Sequence, residues 1–191
     1  KEICELAAEG VPVIGICGGY QMLGEKVCDP LHVESENDEV EGLGLLPYET
    51  SMHGKKNTYQ VLFDCEELPF LDMKFSAKGM RGYEIHMGET TLTKEAQALF
   101  HITQRSESPV DLMDGFINEK HKVFGTYCHG IFDNDEIRRA VINALRRRKG
   151  LEDLPIQFRY RKYKESEFDR LANTVRKNFD MDAFYKILEN E

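Results

Sequence analysis

Cys17 closes an apolar run and stands directly before two glycines, in "VPVIGICGGYQMLG" at residues 11–24. A cysteine at that point suits nucleophilic chemistry. In a strand-turn-helix elbow, glycines flanking the nucleophile allow a sharp backbone turn that a side chain would block. Gly15, Cys17 and Gly19 hold the required alternate positions. A helix starting beneath the sulfur would favour the thiolate through its dipole and free N–H groups, and the N–H of Gly18 would donate to an oxyanion. The same residues also suit a buried structural cysteine in a glycine turn, so partner residues decide between the two.

A thiolate that attacks an amide needs a proton donor for the departing nitrogen, and histidine serves that purpose near neutral pH. His129, in "GTYCHGIF", follows a β-like run. At the C-terminal end of a parallel strand it would enter the crevice where open α/β sheets hold their sites. His32, His53 and His101 lie in polar or loop stretches, and His121 lies in a hairpin turn. In "GYEIHMG", strand alternation puts Glu84 and His86 on one face, as a functional pair or as a surface ion pair on a half-exposed strand. A zinc site from Cys65, His86, Cys128 and His129 is disfavoured. Neighbouring Cys128 and His129 would point to opposite faces of a strand, which makes Cys128 a core residue.

These residues need a scaffold. Ile3, Leu6 and Ala7 at helical spacing, Gly10 as a stop, and the apolar "VPVIGIC" read as helix, turn and a strand buried on both faces, which belongs in a parallel sheet. Such a strand needs earlier neighbours, so the chain is expected to begin inside a fold whose first strands lie upstream. "YQMLGEKV" reads as the start of a helix, and "HVESENDEVEGLGLLPYET" as an acidic, solvated loop. "TYQVLF" and "GYEIHMGET" read as strands separated by turn-rich sequence, and "DGFINEKHKVFGTYCHGIF" as two strands joined around residues 118–120. The next segment, from Asp133, predicts a helix with Ile137, Val141, Ala144 and Leu145 on one face and Asp133, Asn134 or Asp135 as its cap. From about Lys164 the tail is helical again, with Phe168, Leu171, Val175 and Phe179 spaced to pack on something. The expected organisation is a main domain over 1–150 and a helical extension of it over 151–191.

Composition narrows the classes. A net charge of −9 argues against a nucleic-acid partner. The basic "RRRKG" at 146–150 sits where cations complement a helix C-terminus. No apolar run approaches the roughly 20 residues of a bilayer span. Five cysteines without paired spacing, and a start unlike a signal peptide, fit a reducing, cytoplasmic setting.

The elbow "CGGYQ" resembles that of the class I, or triad, glutamine amidotransferases. Together, "GICGGYQMLG", "GLGLLPYET", "GYEIHMGET" and "GTYCHGIFDND" are similar to the C-terminal glutaminase domains of the cobyric acid synthase family, and the similarity extends through the tail. The resemblance implies an α/β, flavodoxin-like fold with a mostly parallel central sheet. It implies Cys17 as nucleophile, His129 as acid-base residue, Gln21 and Gly18 at the glutamine site, and Glu84 and His86 lining it. It also implies partners: an N-terminal ATP-binding synthetase domain using ATP and Mg2+, and a corrin substrate, adenosylcobyrinic acid a,c-diamide, whose carboxylates are amidated. No metal or cofactor is expected in residues 1–191 themselves. The wider class carries a glutamate two positions after the histidine. Here that position is Ile131, as in this branch of the class, which leaves open what orients His129; Asp133 and Glu136 lie nearby in sequence. Cobyrinate a,c-diamide synthase, the amidotransferase partner of a muramyl ligase, and a docking module without turnover are the alternatives.

Overall fold

A near-continuous apolar run places β1 (Val13–Ile16) in a sheet covered on both faces. The structure, a computed structural model, describes residues 1–120 and 122–189, so His121 lies outside the described residues. Helix α1 (Glu2–Ala8) precedes β1, and the chain turns at Gly10 with φ +85°. β1 runs parallel to β8 (Val123–Thr126), with Val13 opposite Val123 and Ile16 opposite Thr126. Every residue of β8 is buried. Val123, with Tyr127 just beyond, packs with Tyr20, Leu23 and Tyr48, whereas Phe124 packs with Phe70, Phe100 and Ile137 in a second core. Strand alternation thus splits one short run between two cores.

The remaining elements are α2 (Gly18–Leu23), β2 (Lys26–Cys28), β3 (Glu39–Glu41), β4 (Tyr48–Leu68), β5 (Phe75–Leu92), β6 (Gln97–Arg105), β7 (Ser108–Ile117), α3 (Asp135–Arg148), α4 (Tyr160–Asn178) and α5 (Met181–Glu189). The strand order is β1-β8-β7-β6-β4-β2-β3, with β5 paired to β4 off this path. The α/β class expected from sequence holds, and the parallel pairing sits where it was expected, at the elbow strand. β1–β8 and β2–β4 are the parallel pairs. The other pairings, β2–β3, β4–β5, β4–β6, β6–β7 and β7–β8, are antiparallel. Short connections explain β4–β5, β6–β7 and β7–β8, because a tight turn joins antiparallel strands. Asn118 makes one of them, accepting at Oδ1 from the N–H groups of Lys122 and Val123.

Several local expectations change. The helix after the elbow stops at Leu23, because Gly24 is extended and a Cβ there would lie 2.6 Å from Tyr48. Lys26–Cys28 is therefore a strand. Turn-rich residues 64–81 belong largely to the long β4–β5 hairpin, and β6 had no counterpart in the sequence reading. The acidic loop is organised by the buried Asp29 just before it, which accepts from the N–H groups of Val33, Glu34 and Ser35 at 2.8 Å each. α3 buries Ile137, Val141 and Ala144 as expected, but Leu145, at the edge of that stripe, is exposed. Asn134 is its N-cap residue but makes no capping hydrogen bond. Its side chain serves another turn, described below.

The chain forms two compact units, Lys1–Pro155 and Ile156–Glu191. Residues 151–155 go with the first because Asn143 exchanges two hydrogen bonds with the backbone of Leu154, at 2.9 and 3.0 Å. In the second unit, α4 begins at Tyr160 and carries no buried residue; Phe168, Leu171 and Val175 on it, and Phe179 after it, are exposed. Among the described residues no helix is long and apolar enough to cross a membrane.

Candidate active site

The elbow is a backbone feature. Cys17 links β1 to α2 with φ 54° and ψ −115°, a conformation that costs an L-residue on the order of 1–3 kcal/mol. Its N–H donates to the carbonyl of Thr126 at 3.0 Å, fixing it at the C-terminal end of the parallel β1–β8 pair. Gly15 is required: a Cβ there would lie 2.5 Å from Leu23 Cδ1 and 2.7 Å from the Gly19 carbonyl. Gly18 and Gly19 face open space. The flanking-glycine argument therefore holds at Gly15 and not at Gly19.

The Cys17 thiol donates to the carbonyl of Ile85 on β5, 3.3 Å away. Burial raises its pKa above the ordinary cysteine value; the adjacent Gly18 N–H opposes that shift and Glu34 reinforces it. The expected bias of the helix N-terminus toward thiolate is thus outweighed by desolvation. α2 has only six residues, and a single N–H beside the sulfur does not offset the loss of water.

His129 is held by the same stretch of β5. Its N–H donates to the Tyr83 carbonyl at 2.8 Å, and the Tyr83 N–H donates to its carbonyl at 3.1 Å, an isolated antiparallel bridge. The His129 and Tyr83 rings stack with centroids 4.8 Å apart and planes 8° apart. Gly82 permits this approach, since a Cβ there would lie 2.3 Å from Cys128 Sγ and 2.6 Å from the His129 carbonyl oxygen. Gly130, at φ +71°, turns the chain away, and Asn134 binds both sides of the turn through Arg81, Gly130 and Ile131. Burial lowers the pKa of His129, and His86 lowers it further by charge repulsion. Its Nε2 is buried without a hydrogen-bond partner among the described residues.

Glu84 and His86 occupy the inner face of β5 at 2% and 8% exposure, so the surface-pair alternative for them is overturned. Glu84 receives a bidentate pair from Arg105 on β6, at 2.7 and 3.0 Å. His86 Nδ1 donates to the Gly88 carbonyl at 2.8 Å, which leaves Nε2 3.9 Å from Glu84 Oε1. The His86 ring lies 3.8 Å from that of Tyr127 at 13°. Gln21 is also buried, with its amide nitrogen 3.5 Å from the Tyr127 hydroxyl and 3.9 Å from Met52 Sδ. Glu84, His86, Arg105, Asp114 and Tyr127 line a cavity of about 520 Å³ that neither Cys17 nor His129 borders.

Three participants escaped the sequence reading. Arg105 carried no local signal. Asp114 precedes a glycine at φ +73° and accepts from the Thr126 hydroxyl and the Tyr127 N–H, anchoring the segment that carries His129; burial raises its pKa against those bonds. Tyr83 was visible only as the residue before Glu84. Ile131 is fully buried in the core, so its side chain belongs to packing. Asp133 and Glu136 are exposed. Cys65 and Cys128 are buried core thiols, and no group of three or more His, Cys, Asp or Glu among the described residues is arranged to hold a metal ion. His32, His53 and His101 each set Nε2 beside a surface carboxylate, of Asp38, Glu89 and Asp111, at 3.0, 3.3 and 2.6 Å.

Residues 1–137 match the family of CobB/CobQ-like glutamine amidotransferase domains. Cobyric acid synthase of Caldanaerobacter subterraneus subsp. tengcongensis is 44% identical over 192 residues, covering 99% of this chain and 37% of that protein. Cobyric acid synthase of Alkaliphilus metalliredigens is also 44% identical, over 100% of this chain and 38% of its own length. The chain thus spans little more than a third of these relatives. A chain in the structure of PurLQS from Thermotoga maritima shares the fold, with TM-score 0.50, 18% identity, and coverage of 71% of this chain and 58% of that one. With the elbow, its histidine and the match over residues 1–137 in agreement, the chain belongs to the CobB/CobQ-like glutamine amidotransferase domain family.

Proposed function

We propose that the chain is the glutamine-hydrolysing part of a cobyric acid synthase, supplying ammonia for ATP-dependent amidation of corrin side-chain carboxylates in cobalamin biosynthesis. One observation carries the chemistry: the strained Cys17 and the His129 loop are docked two residues apart on β5, at Ile85 and Tyr83. The near-complete coverage of this chain by cobyric acid synthases supports the choice of pathway. In this reading ATP and Mg2+ are used by an N-terminal synthetase domain, which is also where the corrin substrate, adenosylcobyrinic acid a,c-diamide, binds.

The steps within residues 1–191 use the thiol, the imidazole and backbone N–H groups. His129 takes the Cys17 proton as sulfur attacks the carboxamide carbon, and the Gly18 N–H donates to the oxyanion that forms. As the C–N bond breaks, His129 returns the proton to nitrogen and ammonia leaves. His129 then deprotonates a water that attacks the thioester, releasing glutamate and restoring the thiol. The family resemblance assigns Gln21, Glu84 and His86 to the glutamine site; Glu84 and His86 line the cavity of about 520 Å³ described above.

The test is glutamate release from glutamine. His129→Ala should fold normally and lose roughly 100-fold or more in turnover, the scale of a lost general acid-base group. Unchanged turnover would remove His129 from the mechanism, whereas a parent protein that releases no glutamate would favour a docking module.

A further inference from the structure

The His129 ring rests against an aromatic face. Its ring lies parallel to that of Tyr83, 8° between planes, and the two backbones are locked by reciprocal hydrogen bonds at 2.8 and 3.1 Å. The position two residues after the histidine is buried in the core as Ile131 and faces away from this task. Asp133 and Glu136 are exposed, whereas the ring of Tyr83 lies directly against the imidazole. The bridge fixes where the His129 backbone lies, and the stack fixes how its ring is turned. A flat ring on a flat ring leaves rotation about the last side-chain bond confined to two faces. The same face also favours the imidazolium that forms transiently when His129 holds the Cys17 proton, since a cation within about 6 Å of a ring centroid is attracted to it.

We infer that Tyr83 is the positioning residue for His129, its ring doing through stacking what a hydrogen-bonded carboxylate does elsewhere. This rests on the glutaminase reading for its kinetic consequence, but not for its structural one. The hydroxyl has no part in it. Tyr83 is 38% exposed, so its side chain can be changed without opening the core.

The experiment compares Tyr83→Leu and Tyr83→Phe in the full-length protein, reading glutamine hydrolysis and the ring-proton resonances of isotopically labelled histidine, with His129→Ala to assign them. Tyr83→Leu should lose roughly 10-fold in kcat with KM within about twofold, as expected for a misplaced catalytic group. Tyr83→Phe should match the parent in both. The His129 ring protons should lose their ring-current shift in the leucine variant and keep it in the phenylalanine variant. An unmoved His129 resonance in Tyr83→Leu, or a phenylalanine variant as impaired as the leucine one, overturns the inference. A resonance that moves in a protein that never hydrolyses glutamine upholds the positioning and overturns only the glutaminase reading.

Discussion

Cys17 and His129 are fixed to one strand two residues apart: the thiol of Cys17 bonds the carbonyl of Ile85, and the backbone of His129 bridges Tyr83. Neither anchor is a side chain of β5. The relative placement of nucleophile and base therefore depends on backbone approach, and glycine governs it at one point.

That point is Gly82. A methyl group there would stand 2.6 Å from the His129 carbonyl oxygen and 2.3 Å from Cys128 Sγ. Gly82→Ala should push the 128–130 segment off β5, lowering stability by about 1–3 kcal/mol through overpacking and cutting glutamine hydrolysis more than His-independent alkylation of Cys17. Denaturant titration and paired rate measurements check this. Parent-like hydrolysis in the alanine variant would mean the bridge is dispensable.

The buried Glu84 carboxylate depends on Arg105, whose side chain is 24% exposed while that of Glu84 is 2% exposed. Arg105→Ala leaves that charge without its bidentate partner and should cost about 3 kcal/mol, read from the shift in denaturation midpoint. Arg105→Lys should recover only part of it, because a lysine cannot make the two-pronged contact.

The resting ionisation follows from two opposite shifts. Burial raises the Cys17 pKa and lowers that of His129, so over neutral pH the pair rests as thiol and neutral imidazole. Alkylation of Cys17 by iodoacetamide should therefore keep rising with pH beyond about 8.5, the ordinary thiol value, with no plateau on the acid side. The acid limb of glutamine hydrolysis should fall below the usual histidine range, because the base form of His129 persists to lower pH. A flat alkylation rate down to acid pH would indicate a thiolate–imidazolium pair instead.

The elbow was legible in the sequence because its cause is local: Gly15 must be glycine where Leu23 and the Gly19 carbonyl close over it, and the strand before it is apolar on both faces. His129 was legible for a similar reason, as a histidine ending a fully buried run. Arg105, Asp114 and Tyr83 were not, since each is recruited by strand pairing between segments distant in sequence. The burial of Glu84 and His86 also depends on such pairing, through β4 and β6. The long hairpin through residues 64–81 was hidden by its Gly, Lys and Asp content, which reads as turn until the partner strand is in place.

The central claim is that Cys17 is a glutamine-directed nucleophile, and intact-mass labelling by a diazo-ketone glutamine analogue tests it most directly. One adduct per chain is predicted, located at Cys17, suppressed by excess glutamine and absent from Cys17→Ala. An adduct that persists in Cys17→Ala, or a parent protein that takes up none, would contradict the account.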